Sequence, residues 1–299
     1  MRFSVYELLC DLCPRRCGAA RSDEAPAGVC RSPLLPRIAR AAAHFGEEPC
    51  ICGSGGAGAI FFTGCNLRCV FCQNREISRG EGGQSVSVPR LREIMLRLRD
   101  EGVSCIDLVT GTHYTPAIAE ALSGLSLGIP VVWNSSGYES VETLQQLSGL
   151  VQIYMPDFKY WDSAAAKRYS AAEDYPQIAR AAIKEMYRQT GPYVLDESGM
   201  LHSGVLIRHL ILPGRSEDAM NVIDFAADEF PRGSVLFSLM SQYTPMPGLE
   251  RFPDLSGRID SETNSALIHY MSVRHLDGFW QEPDSATAEM IPAFDGTGV

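Results

Sequence analysis

Residues 59–74 read AIFFTGCNLRCVFCQN. The apolar run at 59–62 is typical of a buried strand, and Cys65, Cys69 and Cys72 follow it with Cys-x3-Cys-x2-Cys spacing. Iron–sulfur clusters are normally held by four cysteines, so three in one loop predict a cluster whose fourth iron binds a non-protein ligand. A structural zinc loop is the alternative, but zinc sites normally take four ligands, usually from two cysteine pairs.

Apolar β-branched runs alternate with helical patterns along the chain. The predicted strands are 59–63, 105–110, 131–134, 151–155, 205–212 and 235–239, and the predicted helices are 89–101, 116–122, 140–147, 163–190, 216–229 and 260–273. Strand followed by helix, six times over, predicts an α/β fold with a parallel sheet and right-handed crossovers. A closed eight-stranded barrel needs about 250 residues or more. We therefore predict a partial (β/α)6 TIM-like barrel.

Three regions are predicted from this pattern. They are a Cys-rich N-terminal segment at 1–55, the barrel at 56–275 and a C-terminal tail at 276–299 that packs on the barrel. We expect the tail to fold over the barrel mouth and narrow it.

Composition limits the classes of partner and compartment. With 45% apolar residues and no apolar run near 18 residues, the sequence predicts a large core and no membrane span. The net charge of -10 disfavours non-specific nucleic-acid or membrane binding. The first residues carry no pattern of a secretory signal, which predicts a cytoplasmic protein. In that reducing compartment ten cysteines favour metal ligation over disulfides.

The cysteine spacing after a buried strand is the signature of the radical S-adenosylmethionine (SAM) superfamily, which this chain resembles. The resemblance implies a [4Fe-4S] cluster on Cys65, Cys69 and Cys72, with SAM chelated by the open iron and cleaved reductively to a 5′-deoxyadenosyl radical. In the superfamily an aromatic residue before the third cysteine commonly stacks on the adenine. Phe71 would have this role, and core packing is the alternative.

The second strand end carries Thr110, Gly111 and Thr112. Many radical SAM proteins have Gly-Gly-Glu-Pro here, which holds the SAM amino group. This chain has Gly111 and Pro116 but no glutamate, so the resemblance implies that Thr110 or Thr112 accepts that hydrogen bond.

The third and fourth strand ends, at 133–138 and 154–159, are similar to glycyl-radical activating enzymes such as the pyruvate formate-lyase activase. By this similarity Ser136 and Lys159 would contact the ribose or methionine carboxylate of SAM. The residues that would bind a monovalent cation beside the cluster are Asn134, Ser135, Met155 and Asp157. An ordinary ion pair between Asp157 and Lys159 is the alternative.

Arg208 lies in the fifth predicted strand, on the face opposite Ile207 and His209. A barrel interior does not accept an unpaired guanidinium, so Arg208 needs an anion. The SAM carboxylate and Asp157 are the two candidates.

A second group of cysteines lies upstream, with the spacing Cys10-x2-Cys13, Cys17 and Cys30. Four thiolates suit zinc or an auxiliary iron–sulfur cluster. Buried thiols without a metal are the alternative.

The resemblance covers most of the chain and is closest to the activase-like subgroup labelled PflX, on residues 44–49, 112–114 and 294–299 as well as the cysteine loop. The resemblance implies an oxidoreductase that abstracts a hydrogen atom from a glycyl-radical protein, a peptide or a small molecule. A flavodoxin- or ferredoxin-type protein would supply the electron. Group transfer or rearrangement with the same SAM cleavage is a second possibility, and a non-catalytic iron–sulfur or zinc interaction protein is a third.

Overall fold

A computed structural model describes residues 9–22, 25–281 and 292–299 of the chain. Residues 1–8 of the predicted N-terminal segment and 282–291 of the predicted tail lie outside the described residues. The strands in the described part are β1 (Arg37–His44), β2 (Ala57–Phe62), β3 (Gln84–Ser85), β4 (Cys105–Val109), β5 (Val131–Ser135), β6 (Ile153–Pro156), β7 (Val194–Leu195), β8 (Leu201–Leu210), β9 (Leu236–Met240) and β10 (Asp277–Trp280). The α-helices are α1 (Pro49–Cys52), α2 (Arg75–Ser78), α3 (Val88–Asp100), α4 (Thr115–Leu122), α5 (Val141–Gln145), α6 (Ser163–Ser170), α7 (Tyr175–Thr190), α8 (Ser216–Glu229) and α9 (Ser261–Val273).

The strands form an open sheet in the order β10-β9-β8-β6-β5-β4-β2-β1-β3, with β7 paired to β8. From β2 to β10 along this path every neighbouring pair is parallel, whereas β1 is antiparallel to both β2 and β3. Helices connect the parallel strands, so the strands' carboxyl ends meet at one edge of the sheet. The predicted α/β partial barrel is confirmed.

The predicted strands correspond to β2, β4, β5, β6, β8 and β9. Two further long pairings were not predicted. Strand β10 comes from the predicted tail and adds another parallel strand beside β9. Strand β1 has the sequence RIARAAAH, which is poor in residues that favour strands, and pairing with β2 outweighs that preference.

The helix predicted at 163–190 is two helices, α6 and α7. Ala171 ends α6 in the left-handed region, with φ of +52°. Pro176 suits the first turn of α7, where its missing N–H is not needed.

The two faces of the sheet carry different cores. Trp133 and Ile207 face the layer that packs against the helices. On the other face Val132 and Leu206 pack with Ile51 of α1 and with residues that begin β2 and β4. Helix α1 thus fills the inner face near the amino ends of the strands and leaves their carboxyl ends for a site. No helix in the described ranges has the length and apolarity that a membrane span requires.

Candidate active site

A cleft of about 220 Å³ lies at the carboxyl ends of the parallel strands. Cys65 lines it from the loop after β2, Thr110 from the end of β4, Ser136 from the end of β5, Lys159 from the end of β6 and Arg208 from β8. Ligands bind at this edge in parallel α/β sheets. The fold therefore brings together polar side chains that are far apart in sequence.

The cysteine loop is anchored on both sides. Gly64 has φ of +86°, and a Cβ there would lie 2.6 Å from the Cys30 carbonyl oxygen, so this position requires glycine. Asn66 Nδ2 donates to the Tyr138 carbonyl at 2.7 Å, and Arg15 Nε donates to the Asn66 carbonyl at 2.8 Å. These contacts hold Cys65, Cys69 and Cys72 against the cleft that all three line.

The three thiols suit an iron–sulfur cluster by their chemistry, since they are soft donors from one loop. Burial and the nearby Cys69 raise the pKa of both Cys65 and Cys72, and ligation by iron displaces such protons. Within the described ranges no three His, Cys, Asp or Glu side chains converge as they would on a single metal ion. Each thiolate of a cubane binds a different iron, so the trio suits a cluster better than a mononuclear ion.

A buried ionic network borders the cysteines. Lys159 Nζ lies 2.5 Å from Asp157 Oδ2, and Arg208 Nε lies 3.0 Å from Asp157 Oδ1. Burial acts to raise the pKa of Asp157, but Arg208 and Lys159 outweigh it and hold that pKa below its usual value. Burial acts to lower the pKa of Arg208, but the carboxylates of Asp157 and Glu47 outweigh it and raise that pKa. The ion pair considered from the sequence is present, and both of its members line the cleft.

Sequence reasoning missed three acids of this network. Glu47 Oε2 binds Arg208 Nη1 at 2.9 Å, and the buried Glu48 accepts from Ser238 Oγ at 2.7 Å. Asp107, on β4, is fully buried, and its Oδ1 has no hydrogen-bond partner among the described residues. Burial raises the pKa of Asp107 and of Glu48. The adjacent pair Glu47-Glu48 before Pro49 was the available signal, but without a predicted β1 nothing in the sequence places this pair beside the strand ends.

Besides Lys159 and Arg208, three further residues that were predicted to contact SAM line the cleft. Phe71 lies edge-on to Tyr160 and Tyr243, with ring centroids 6.3 Å and 6.1 Å away. Ser136 also lines it. Thr110 has φ of +62°, which is uncommon for a β-branched residue and is typical of functional sites.

Gly111 and Thr112 are not among the residues that line this cleft. Thr112 is buried, and its hydroxyl donates to Glu139 Oε1 at 2.8 Å. A Cβ on Gly111 would lie 2.9 Å from Cη2 of Trp133. The structure thus places Thr110 on the cleft, and Thr112 in a buried contact with an acid that the sequence did not single out.

The residues predicted to bind a monovalent cation are Asn134, Ser135, Met155 and Asp157. Three of them line the cleft, and Met155 is fully buried in the inner core. Arg208 Nη2 donates to Asn134 Oδ1 at 2.7 Å. Asn134 Nδ2 donates to Asp107 and Glu47, both at 3.2 Å. Arg208 therefore already supplies a positive charge to the oxygens of Asn134 and Asp157.

The upstream cysteines lie next to one another beside the cysteine loop. Burial and the nearby thiols of Cys30 and Cys10 raise the pKa of Cys13 to about 11. Arg21 ties this segment to the barrel by donating to the His113 carbonyl at 2.7 Å. The described residues hold no three of these thiols in the arrangement of ligands around a single ion.

Comparison with known proteins agrees with this geometry. The profile of the radical SAM superfamily matches residues 59–226. An uncharacterized protein of Methanocaldococcus jannaschii, MJ0674, is 30% identical over 278 residues, which are 90% of this chain and 75% of that protein.

Two solved structures are also similar. Streptococcus suis SuiB has a TM-score of 0.46 at 13% identity, over 73% of this chain and 47% of SuiB, so the match spans about half of SuiB. A domain of a pyruvate-formate lyase-activating enzyme from Bacteroides vulgatus has a TM-score of 0.39 at 12% identity, over 65% of this chain and 91% of that domain. The profile match covers more than half of the chain and includes the cysteine loop and β4, β5 and β6, so the chain belongs to the radical SAM superfamily.

Proposed function

We propose that this radical SAM enzyme cleaves SAM reductively and abstracts a hydrogen atom from its substrate, as glycyl-radical activating enzymes do. The observation that carries the proposal is one cleft lined by three cysteines of one loop and by the cations Lys159 and Arg208. Superfamily membership implies an enzyme that uses a [4Fe-4S] cluster and SAM. It therefore disfavours the non-catalytic alternative.

Cys65, Cys69 and Cys72 would hold the cluster. The cluster and SAM together supply one chemical step, reductive cleavage to a 5′-deoxyadenosyl radical. The protein's part is to bind, to orient and to exclude water.

Lys159 and Ser136 would bind the methionine carboxylate or the ribose of SAM. The backbone N–H of Lys159 donates to Tyr175 Oη at 2.8 Å, and this Oη lies 2.8 Å from the Ser136 carbonyl oxygen. The Tyr175 hydroxyl thus fixes the ends of β5 and β6 relative to each other. Phe71 would supply an apolar wall for the adenine, and Thr110 would accept from the amino group.

The upstream cysteines, Cys10, Cys13, Cys17 and Cys30, would bind zinc or an auxiliary cluster. Arg15 connects their segment to the cysteine loop through the Asn66 carbonyl and to the end of α6 through Ser170, at 3.2 Å. A metal there would stiffen the support of the loop, because it would close a chain segment that itself has little regular structure.

We propose that the substrate is smaller than a folded glycyl-radical enzyme, for example a peptide or a metabolite. The positions of the described parts of the C-terminal region support this proposal. Gln281 donates to Leu239 of β9, near one edge of the sheet, and Gly296 donates to Ala39 of β1, near the other. Pro292 lines the cleft. These positions also favour group transfer or rearrangement on a small molecule as the second candidate function.

The test is anaerobic incubation of the reconstituted protein with SAM and dithionite, followed by chromatographic measurement of 5′-deoxyadenosine. The variant Cys65→Ala/Cys69→Ala/Cys72→Ala should form none. Cys105→Ala is the matched control, because Cys105 is a buried thiol of the inner core outside the loop. Product formation by the triple variant would refute the assignment.

To separate an activase from a small-molecule enzyme, a glycyl-radical protein is incubated with this enzyme, SAM and reductant. We expect no glycyl-radical doublet in electron paramagnetic resonance. A doublet would overturn the small-substrate proposal in favour of an activase.

A further inference from the structure

A second cleft, of about 410 Å³, lies on the other side of the cysteine loop. Cys65, Cys69 and Cys72 line this outer cleft as well as the inner one. A single loop thus separates the two spaces. Whatever binds in the outer cleft is as close to the three thiols as a ligand in the inner cleft.

The outer cleft is strongly basic. Among the described residues its lining includes five exposed arginines and no carboxylate, and the arginines are Arg31, Arg68, Arg75, Arg79 and Arg251. Within the described part of the chain none of the five makes an ion pair with a carboxylate. The nearest acids in sequence, Glu76 and Glu250, are exposed and do not line the cleft. In a chain of net charge -10 such a concentration of unpaired guanidinium groups marks a surface for an anionic partner.

The surface also has an apolar floor. Val29, Val70 and Phe252 are half-buried among the lining residues. An apolar centre with a charged rim is the usual anatomy of a protein–protein interface. Two of the arginines are held in place, since Arg75 Nη1 donates to the Pro247 carbonyl at 2.7 Å and Arg68 Nη2 to the Val29 carbonyl at 3.4 Å.

We propose that this outer cleft docks an acidic one-electron carrier protein. The inference rests on the proposed function and names the place where its electron enters. One electron leaves the reduced carrier and reduces the oxidised cluster on Cys65, Cys69 and Cys72; no atom or proton is transferred in this step. The arginines attract the carrier's carboxylates, and the apolar floor brings its redox centre close to the loop.

The test compares two double variants of the reconstituted holoenzyme. Arg79→Ala/Arg251→Ala removes two rim charges that make no hydrogen bond in the described structure. Arg90→Ala/Arg232→Ala removes the same charge from α3 and from the loop before β9. Each protein is mixed with a reduced flavodoxin, and separately with dithionite, and the cluster's reduction is followed by absorbance at several salt concentrations.

We expect the rim variant to be reduced by flavodoxin about tenfold more slowly at low salt, with a shallower salt dependence, because electrostatic steering contributes factors of about 10 to 1,000 to such rates. Dithionite is a much smaller anion that does not dock, so its rate with either variant should stay within about twofold of the wild-type rate. Equal flavodoxin rates for the two variants would overturn the docking surface. Slowing of the rim variant by the same factor with dithionite and with flavodoxin would also overturn it, because the effect would then not depend on docking of a protein carrier.

Binding of oxidised flavodoxin, measured by calorimetry without SAM, separates this inference from the proposed function. A rim variant that binds flavodoxin as tightly as wild type refutes the surface even where SAM is cleaved. Failure of wild type to form 5′-deoxyadenosine with dithionite refutes the function even where flavodoxin binds. RNA bound by the arginines at physiological salt, with no flavodoxin bound, would assign the surface to another partner.

Discussion

Replacing Arg208 by Ala is the sharpest test of the buried network. The guanidinium lies 2.7–3.0 Å from side-chain oxygens of Glu47, Asp157 and Asn134, and its own side chain is 13% exposed. The variant leaves Glu47 without its cation and Asp157 with Lys159 alone. Breaking a buried pair from one side costs about 3–5 kcal/mol, because the remaining charge stays desolvated.

The matched control is Arg188→Ala. Arg188 forms two hydrogen bonds to Glu185, both 2.7 Å, but is 62% exposed, and water screens an exposed pair so that it contributes little to stability. Urea unfolding of the reconstituted proteins under anaerobic conditions measures how much each variant decreases the free energy of unfolding. The double variant Arg208→Met/Glu47→Gln should recover part of the loss, since it removes the stranded charge. A loss for Arg208→Ala no larger than that for Arg188→Ala would refute the reasoning.

The decrease in the free energy of unfolding caused by Arg208→Ala should also depend on pH. Burial raises the pKa of Asp107 and Glu48 in the folded protein, and Arg208 moderates both shifts. An acid whose folded pKa is above its unfolded value contributes stability at low pH that is lost as pH rises through the folded pKa. Without Arg208 these pKa values rise further, so the deficit of Arg208→Ala should grow as pH rises through the folded pKa values of these two acids. A deficit independent of pH would contradict this assignment of charge.

Three further predictions concern the ligands and the loop. Lys159→Ala should retain the cluster, measured as iron and sulfide, but should bind SAM about tenfold to a hundredfold more weakly. The reason is that a hydrogen bond to a charged group contributes about 1.5–3 kcal/mol. An unchanged SAM affinity in equilibrium dialysis would contradict this prediction. Gly64→Ala should lower both the thermal unfolding midpoint and the cluster content, because a Cβ there would lie 2.6 Å from the Cys30 carbonyl oxygen. The control is Gly149→Ala, which should keep its cluster. Gly149 also has positive φ, but no atom lies within 4 Å of the added Cβ. Metal analysis of the Cys65/Cys69/Cys72 variant should still find zinc, or iron with sulfide, bound by the upstream cysteines; a folded, metal-free protein would favour buried thiols without a metal.

The fold was largely predictable from sequence because its parallel strands are buried on both faces and appear as continuous apolar runs. The superfamily was predictable from one loop. Strand β1 was not, since its Ala-rich sequence carries no strand preference and its pairing with β2 is a long-range contact. Strand β10 was missed because it contains Gly278 and only four residues.

The site residues were predictable where they lie at or near the carboxyl end of a predicted parallel strand. Lys159, Asp157 and Arg208 were found in this way, and the structure places them together. Glu47 and Glu48 were not found, because the turn that brings them into the barrel depends on β1 and α1. Thr112 was predicted to bind SAM but does not line the cleft. Its hydroxyl donates to the buried Glu139, whereas Thr110, two residues earlier, does line the cleft.

The contrast between the two clefts has a mechanistic consequence. The inner one is bordered by the acids Glu47 and Asp157, which are paired with the buried Arg208. The outer one is bordered by exposed arginines that, in the part of the chain that the structure describes, have no acid beside them. Under the docking proposal, an acidic carrier would therefore be attracted to the outer side of the cysteine loop. If the electron arrives there, the inner cleft does not have to open for reduction, so SAM and substrate can stay enclosed while the chemistry is triggered.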